Sequence, residues 1–205
     1  MDQTSTPFIS KNTGGLERRL EEYRLILSSQ NPKDVARRSG AELTESGWIN
    51  FMLYDEVIAI DARSFQPREP IDDSTLALIL AYLSRSDGSP PCGQWISFRE
   101  LDDGTFYHQA FQGYTGRPLV DHLANDLARL TATATEIGGR QSDLGDISFI
   151  FDALPRVPIL LIYWRGDDEF KASAKILFDR WANHHLPTDG CAVMGSTLVR
   201  LLINR

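Results

Sequence analysis

Two short stretches of the chain gather the residue types best suited to chemistry. The first is W-R-G-D-D-E-F, where Asp167, Asp168 and Glu169 follow the most apolar run in the sequence. Carboxylates in a row offer oxygen ligands to a hard cation such as Mg²⁺ or Ca²⁺. Neighbours along an extended chain point to opposite sides, so at most two of the three converge, and the spacing is not that of an EF-hand loop. The plainer reading is a solvated turn whose acids cap the segment that follows. The second stretch is H-H-L-P-T-D-G-C, holding His184, His185 and Cys191. Imidazole and thiolate ligate zinc, iron or cobalt, but adjacent histidine side chains diverge. Cys191 falls in the first turn of an expected final helix, where the macrodipole lowers a thiol pKa. The plainer reading makes it a small buried hydrophobe. Asp179 is the acid that could serve a histidine or cysteine here.

Other positions carry weaker signals. Arg156 stands in L-P-R-V-P, and the flanking prolines stiffen the connection, so the guanidinium could be held out to an anion; a salt bridge is the plain alternative. Trp164 closes the apolar run beside it, and the tryptophans could line a pocket, although aromatic residues fill cores first. His122 lies four residues before Asp126 on an expected helix, as a base and its orienter or as a surface i,i+4 pair. His108 is expected in mid-strand. There is no phosphate-binding GxxxxGK[ST], no GxGxxG after a strand, and no HExxH, GxSxG or kinase signature.

The elements that must position these groups follow from periodicity. Leu16, Leu20, Tyr23 and Leu27 share one face of a helix from Gly15 to Ser28. Asn31, Pro32 and Gly40 mark the cap, first turn and end of a second helix. W-I-N-F-M-L-Y and E-V-I-A-I-D predict a hairpin over residues 48–61. A helix starts at Asp72 or Asp73 and ends before Asp87-Gly88. Asp103-Gly104 predicts a hairpin-type turn with a strand from Thr105 to Phe111. The longest helix is expected from Pro118 to Ile137. Three strand candidates follow: D-I-S-F-I-F-D-A-L; P-I-L-L-I-Y-W, central and buried on both faces; and A-K-I-L-F-D, for which a helix is the alternative. Thr188 or Asp189 caps a final helix reaching Ile203.

Strands arrive in groups instead of alternating with helices. This argues for an α+β fold with a mixed or largely antiparallel sheet, helices packed on it, and a β-β-α outline that could be duplicated. Residues 1–13 are read as a disordered tail and 14–205 as one globular domain. The chain has 205 residues, a net charge of −7 and two cysteines. Lysine and arginine form no cluster, which argues against nucleic-acid binding. No apolar stretch is long enough to span a bilayer, and the N-terminus lacks the apolar core of a signal peptide. A cytoplasmic protein with no membrane partner is expected.

Several strings resemble a known family: W-I-S-F-R-E-L, F-Y-H-Q-A-F, L-P-R-V-P-I-L-L-I-Y-W-R-G-D-D-E-F, A-K-I-L-F-D and the A-x-x-x-L-P spacing from Ala182 to Pro187. That family is an uncharacterised prokaryotic domain of unknown function, frequent in anaerobes, and some members carry an added cysteine-rich iron–sulfur segment of the type seen with corrinoid proteins. The resemblance spans Asn31 to Leu202 and implies no catalytic residues or cofactor. This chain lacks the extra cysteines, so a corrinoid or iron–sulfur connection would come through a partner protein. The leading expectation is a small-molecule or cofactor-binding accessory domain in anaerobic metabolism, with Arg156, Trp164, Asp167, Asp168 and Glu169 facing one hollow. The alternatives are an enzyme using His184, His185 or Cys191 with an acid such as Asp179, and a protein–protein interaction module or homodimer.

Overall fold

The computed structural model describes residues 13–205. Apart from Thr13, the expected tail over residues 1–13 lies outside the described residues. Helix α1 (Thr13–Ser28) leads into α2 (Pro32–Ser39). Asn31 Oδ1 accepts the Lys33 N–H at 2.9 Å, Pro32 opens the first turn, and Gly40 closes α2 in the left-handed region at φ 71°. An antiparallel sheet in the order β1 (Glu42–Leu43), β2 (Trp48–Leu53), β3 (Glu56–Asp61) follows. Alternating residues Ile49, Phe51, Leu53, Ile58 and Ile60 are buried, as a sheet with one covered face requires. Helix α3 (Asp73–Arg85) is capped by Asp72, which accepts from the Ser74 and Thr75 N–H groups at 3.0 Å each.

The second sheet has five antiparallel strands in the order β4-β8-β7-β6-β5. These are β4 (Trp95–Ser97), β5 (Arg140–Ser142), β6 (Ile147–Leu154), β7 (Val157–Trp164) and β8 (Ser173–Asp179). The expectation for P-I-L-L-I-Y-W holds: β7 is the middle strand, and only Trp164 in it is not buried. A-K-I-L-F-D is a strand, and its helical alternative is not adopted. Between β4 and β5 run α4 (Gly104–Tyr114), α5 (Gly116–Leu123) and α6 (Leu127–Glu136); α7 (Thr188–Asn204) ends the chain. The β2–β3 hairpin leads to α3, and the β6–β7–β8 meander leads to α7.

One face of the larger sheet carries the core. Phe178 packs on Phe111 of α4, with ring centroids 5.9 Å apart, and Phe111 stacks on Phe98 at 4.2 Å. Gly195 of α7 lies against the Phe111 ring so closely that a Cβ there would sit 2.8 Å from it. Gly116 likewise meets the Ala174 carbonyl, which brings α5 onto β8 at backbone distance. The two sheets join where the Tyr54 N–H donates to the Ala153 carbonyl at 3.0 Å, and the Tyr54 hydroxyl reaches the Met194 carbonyl at 2.6 Å. Among the described residues, no helix is long and apolar enough to cross a membrane.

Three local expectations are corrected. The segment from Thr105 to Phe111 is helical, and Asp103-Gly104 starts α4 instead of turning a hairpin. Phe106 is 85% exposed, while Gly104, Phe111 and Thr115 are buried at steps of seven and four, which is a helix pattern. The helix expected from Pro118 to Ile137 is two helices. Ala124 and Asn125 take positive φ of 45° and 70°, and Asp126 then caps α6 through the Arg129 N–H at 2.9 Å. At α7 the cap position is Pro187, not Thr188 or Asp189; the Thr188 hydroxyl donates to the Asp102 carbonyl instead.

Candidate functional site

Arg156 and the acidic turn leave opposite ends of β7, about 26 Å apart at the rise of an extended strand. They therefore share no hollow. Arg156 packs beside the end of α2, its N–H donating to Tyr82 Oη at 3.2 Å, while Tyr82 donates to the Ser39 carbonyl. Its Nε is buried without a partner among the described residues. Asp167 folds back on its own turn and accepts the N–H groups of Phe170 and Glu169 at 2.7 and 2.9 Å; these hold its carboxyl below the usual range. Asp168 and Glu169 are exposed. Trp164 lines a different concavity of about 470 Å³ with Trp95, Ile162, Lys175 and His108, and the Lys175 ammonium lies 5.5 Å from its ring centroid. His108 is on α4, not in a strand. His122 and Asp126 form no base–orienter pair, because Asp126 caps α6 and His122 Nε2 is buried without a partner among the described residues.

The histidine stretch is built differently. Strand β8 ends at Asp179, fully buried, whose carboxylate accepts the Gly93 N–H at 2.7 Å and the Trp181 N–H at 3.0 Å; the exposed Cys92 thiol approaches it at 3.5 Å. Asp179 thus clasps the 86–94 connection to the end of the sheet and does not meet a histidine. A 3-10 turn, Ala182–His184, then throws the two imidazoles apart. His185 is buried, with Nε2 3.0 Å from the Ser89 carbonyl and Nδ1 unpartnered among the described residues. Nε2 is therefore the protonated nitrogen of the neutral ring. Burial pushes its pKa down. The Asp87 charge and the Ser89 carbonyl oppose this, and the His184 and Arg156 charges add to it.

His184 points outward. Its Nδ1 lies 2.6 Å from an Asp87 carboxylate oxygen and 3.3 Å from the Ser89 hydroxyl, and Trp181 sits edge-on to the ring at 4.7 Å. No partner for Nε2 is found among the described residues. Burial opposes the charge on Asp87. The Ser89 N–H, the His184 ring and the Ser89 hydroxyl outweigh it and bring Asp87 to about 2. Asp87 therefore orients the imidazole as a carboxylate across the neutral range.

Asn183 anchors this segment. Its carbonyl accepts Arg85 Nε at 2.8 Å, its Oδ1 accepts the Asp102 N–H at 3.0 Å, and its Nδ2 donates to the Leu186 carbonyl and Thr188 Oγ at 3.2 Å each. One side chain and its backbone so tie the end of α3, the turn before α4 and the start of α7. Two open concavities meet there, sharing Arg85, Asp102 and Asn183. One, of about 440 Å³, is lined also by Arg180, Trp181 and His184. The other, of about 470 Å³, continues past Asp103, Tyr107 and Asp189. Together they form a polar trough.

Cys191 lies one turn into α7, fully buried, and burial raises its thiol far above the ordinary range. Desolvation overrides the helix dipole, so Cys191 is the small buried hydrophobe of the plainer reading and not an activated thiol. Among the described residues no group of three or more His, Cys, Asp or Glu side chains could hold a metal ion. The residues that sequence reasoning missed are Arg85, Asp87, Asp102 and Asn183, whereas Trp181 was among the tryptophans that could line a pocket. Asp87 was visible only as part of a helix-ending Asp-Gly, and its partner lies 97 positions away.

No curated protein and no solved structure matches the chain. The family model of a domain of unknown function, DUF3786, matches residues 31–201, from the cap of α2 to the last turn of α7, and the chain belongs to that family.

Proposed function

We propose that the protein is a small-molecule-binding accessory domain whose site is the trough along residues 180–189. The observation that carries this reading is His184, whose imidazole is fixed by Asp87 and Trp181 at the wall of a concavity that also presents Arg85 and Arg180. Positioned polar groups converging on one concavity are what a ligand site needs. A cytoplasmic setting in anaerobic metabolism, beside a corrinoid or iron–sulfur partner protein, has the family resemblance as its support.

A screen of small carboxylates, phosphates, amines and amino acids, read by NMR shift perturbation, tests the site. Perturbation should gather at Trp181, Asn183 and His184 and weaken in His184→Ala. Perturbation confined to the Trp95–Trp164 groove, or unchanged in His184→Ala, would move the site elsewhere.

The Asp87–His184 contact at 2.6 Å favours one second reading, an enzyme with His184 as general base and Asp87 as its orienter. Its mark would be turnover of a trough ligand that His184→Gln abolishes while binding persists.

A further inference from the structure

The groove of about 470 Å³ between Trp95 and Trp164 lies apart from the trough and shares only Glu100 with it. Its floor is the sheet face turned away from the core. Leu161, Tyr163, Ile176 and Phe178 belong to the core, so Ile162, Trp164, Lys175 and Leu177, which alternate with them along β7 and β8, take the other side. Strand β4 stops at Ser97, opposite Leu177, and residues 173–176 of β8 have no strand beside them on that flank. Arg99, just past the end of β4, and His108 of α4 wall the gap.

Two cations line this groove, and neither Lys175 nor Arg99 forms a salt bridge among the described residues. The Lys175 ammonium is placed 5.5 Å from the Trp164 ring centroid, within reach of its π face. Glu100 also lines the groove and keeps its charge, but the Arg180 charge acts on it from the trough side. The balance of the groove is therefore positive. His108 adds a buried Nδ1 without a partner among the described residues. A buried polar atom left unpaired costs free energy, which a bond from a ligand would remove. From this positive balance beside an apolar floor, we infer that the groove is a binding site for a small organic anion with an apolar body, of the aryl carboxylate class. The body lies on Ile162, Leu177 and the tryptophans, and the carboxylate meets Lys175 and Arg99. A neutral arene would lack the charge contact, a bare anion would lack the floor, and an amine would be repelled.

The test uses the full chain and four probes: phenylacetate, phenylacetamide, phenethylamine, and acetate, which keeps the charge and loses the body. NMR titration gives the affinities, and the shifts at Trp95, His108 and Trp164 against those at Trp181 and Asn183 report the place of binding. Phenylacetate should shift the first three and bind about tenfold more tightly than phenylacetamide. Phenethylamine and acetate should leave them unshifted. Arg99 and Lys175 are exposed, so the double variant Arg99→Gln/Lys175→Gln should keep the urea midpoint of the parent and lose the preference for the carboxylate over the amide. If the amide binds as tightly as the carboxylate, or the double variant keeps the preference, the anion assignment is overturned. If the shifts gather at Trp181 and Asn183 instead, the ligand belongs to the trough, and the groove falls while the trough reading stands. If no probe shifts Trp95 or Trp164, the groove is not a site for this class, whatever the trough binds.

Discussion

The connection after β7 and the segment after β8 leave opposite ends of the same sheet, and both are rich in ionisable residues. In the first, Asp167 binds the N–H groups of its own turn, and Asp168 and Glu169 stand in water. In the second, three polar side chains reach distant elements: Asp179 to residue 93, His184 to residue 87, Asn183 to residue 102. Local satisfaction makes a turn, whereas satisfaction across the fold makes a rigid surface on which a ligand group can be placed. The distinction is invisible in composition, since the acid-rich stretch looks the more chemical of the two.

Mutation separates the two regions most sharply at Asp179. Replacing it with alanine leaves the Gly93 and Trp181 N–H groups without their carboxylate, and stability should fall by about 3 kcal/mol in urea denaturation. A loss no larger than that of a surface substitution would erase the contrast. Asn183→Ala removes side-chain bonds to Asp102, Leu186 and Thr188 and should cost about 2 kcal/mol, with probe binding at the trough weakened as well. Retained binding would mean that the trough does not depend on its anchor.

Acid sharpens the comparison further. His185 has a folded pKa below its ordinary 6.5, so the unfolded chain takes up a proton that the native chain refuses. Its contribution is fully present above pH 6.5 and declines as the pH falls below that value, and His185→Phe should flatten the urea midpoint between pH 7 and 5. Asp87 acts with the same sign in a separate, lower window. Its bonds to Ser89 and His184 contribute above the ordinary carboxyl value of 3.8 and are lost as the pH falls toward about 2, a step that Asp87→Asn should remove. The smallest effect belongs to the exposed turn, where Asp167→Ala loses only bonds within its own turn and should lower the urea midpoint slightly at neutral pH.

Elements whose signals are local were legible in the sequence. Asn31, Pro32 and Gly40 bounded α2, and the unbroken apolar run located the central strand, because caps and burial act within a few residues. F-Y-H-Q-A-F misled because a short aromatic stretch fits both periods, and only Phe111 in it faces the core. The break at Ala124-Asn125 had a signal in Asn-Asp before Leu127, which caps a new helix, but the continuous leucine stripe masked it. The trough was illegible for a different reason. Arg85, Asp102 and Asn183 meet only after three connections have folded over one another, and no periodicity encodes that meeting.

The family match begins at Asn31, yet α1 precedes it and lays Leu20 and Leu27, both buried, along α3. The first helix is thus a strip of weatherproofing applied from outside to the body that the family model matches. Cut away before residue 31, the remainder would present a greasy flank beside Leu78 and Ala81. Such a fragment should cling to its own kind in solution long before its strands came apart.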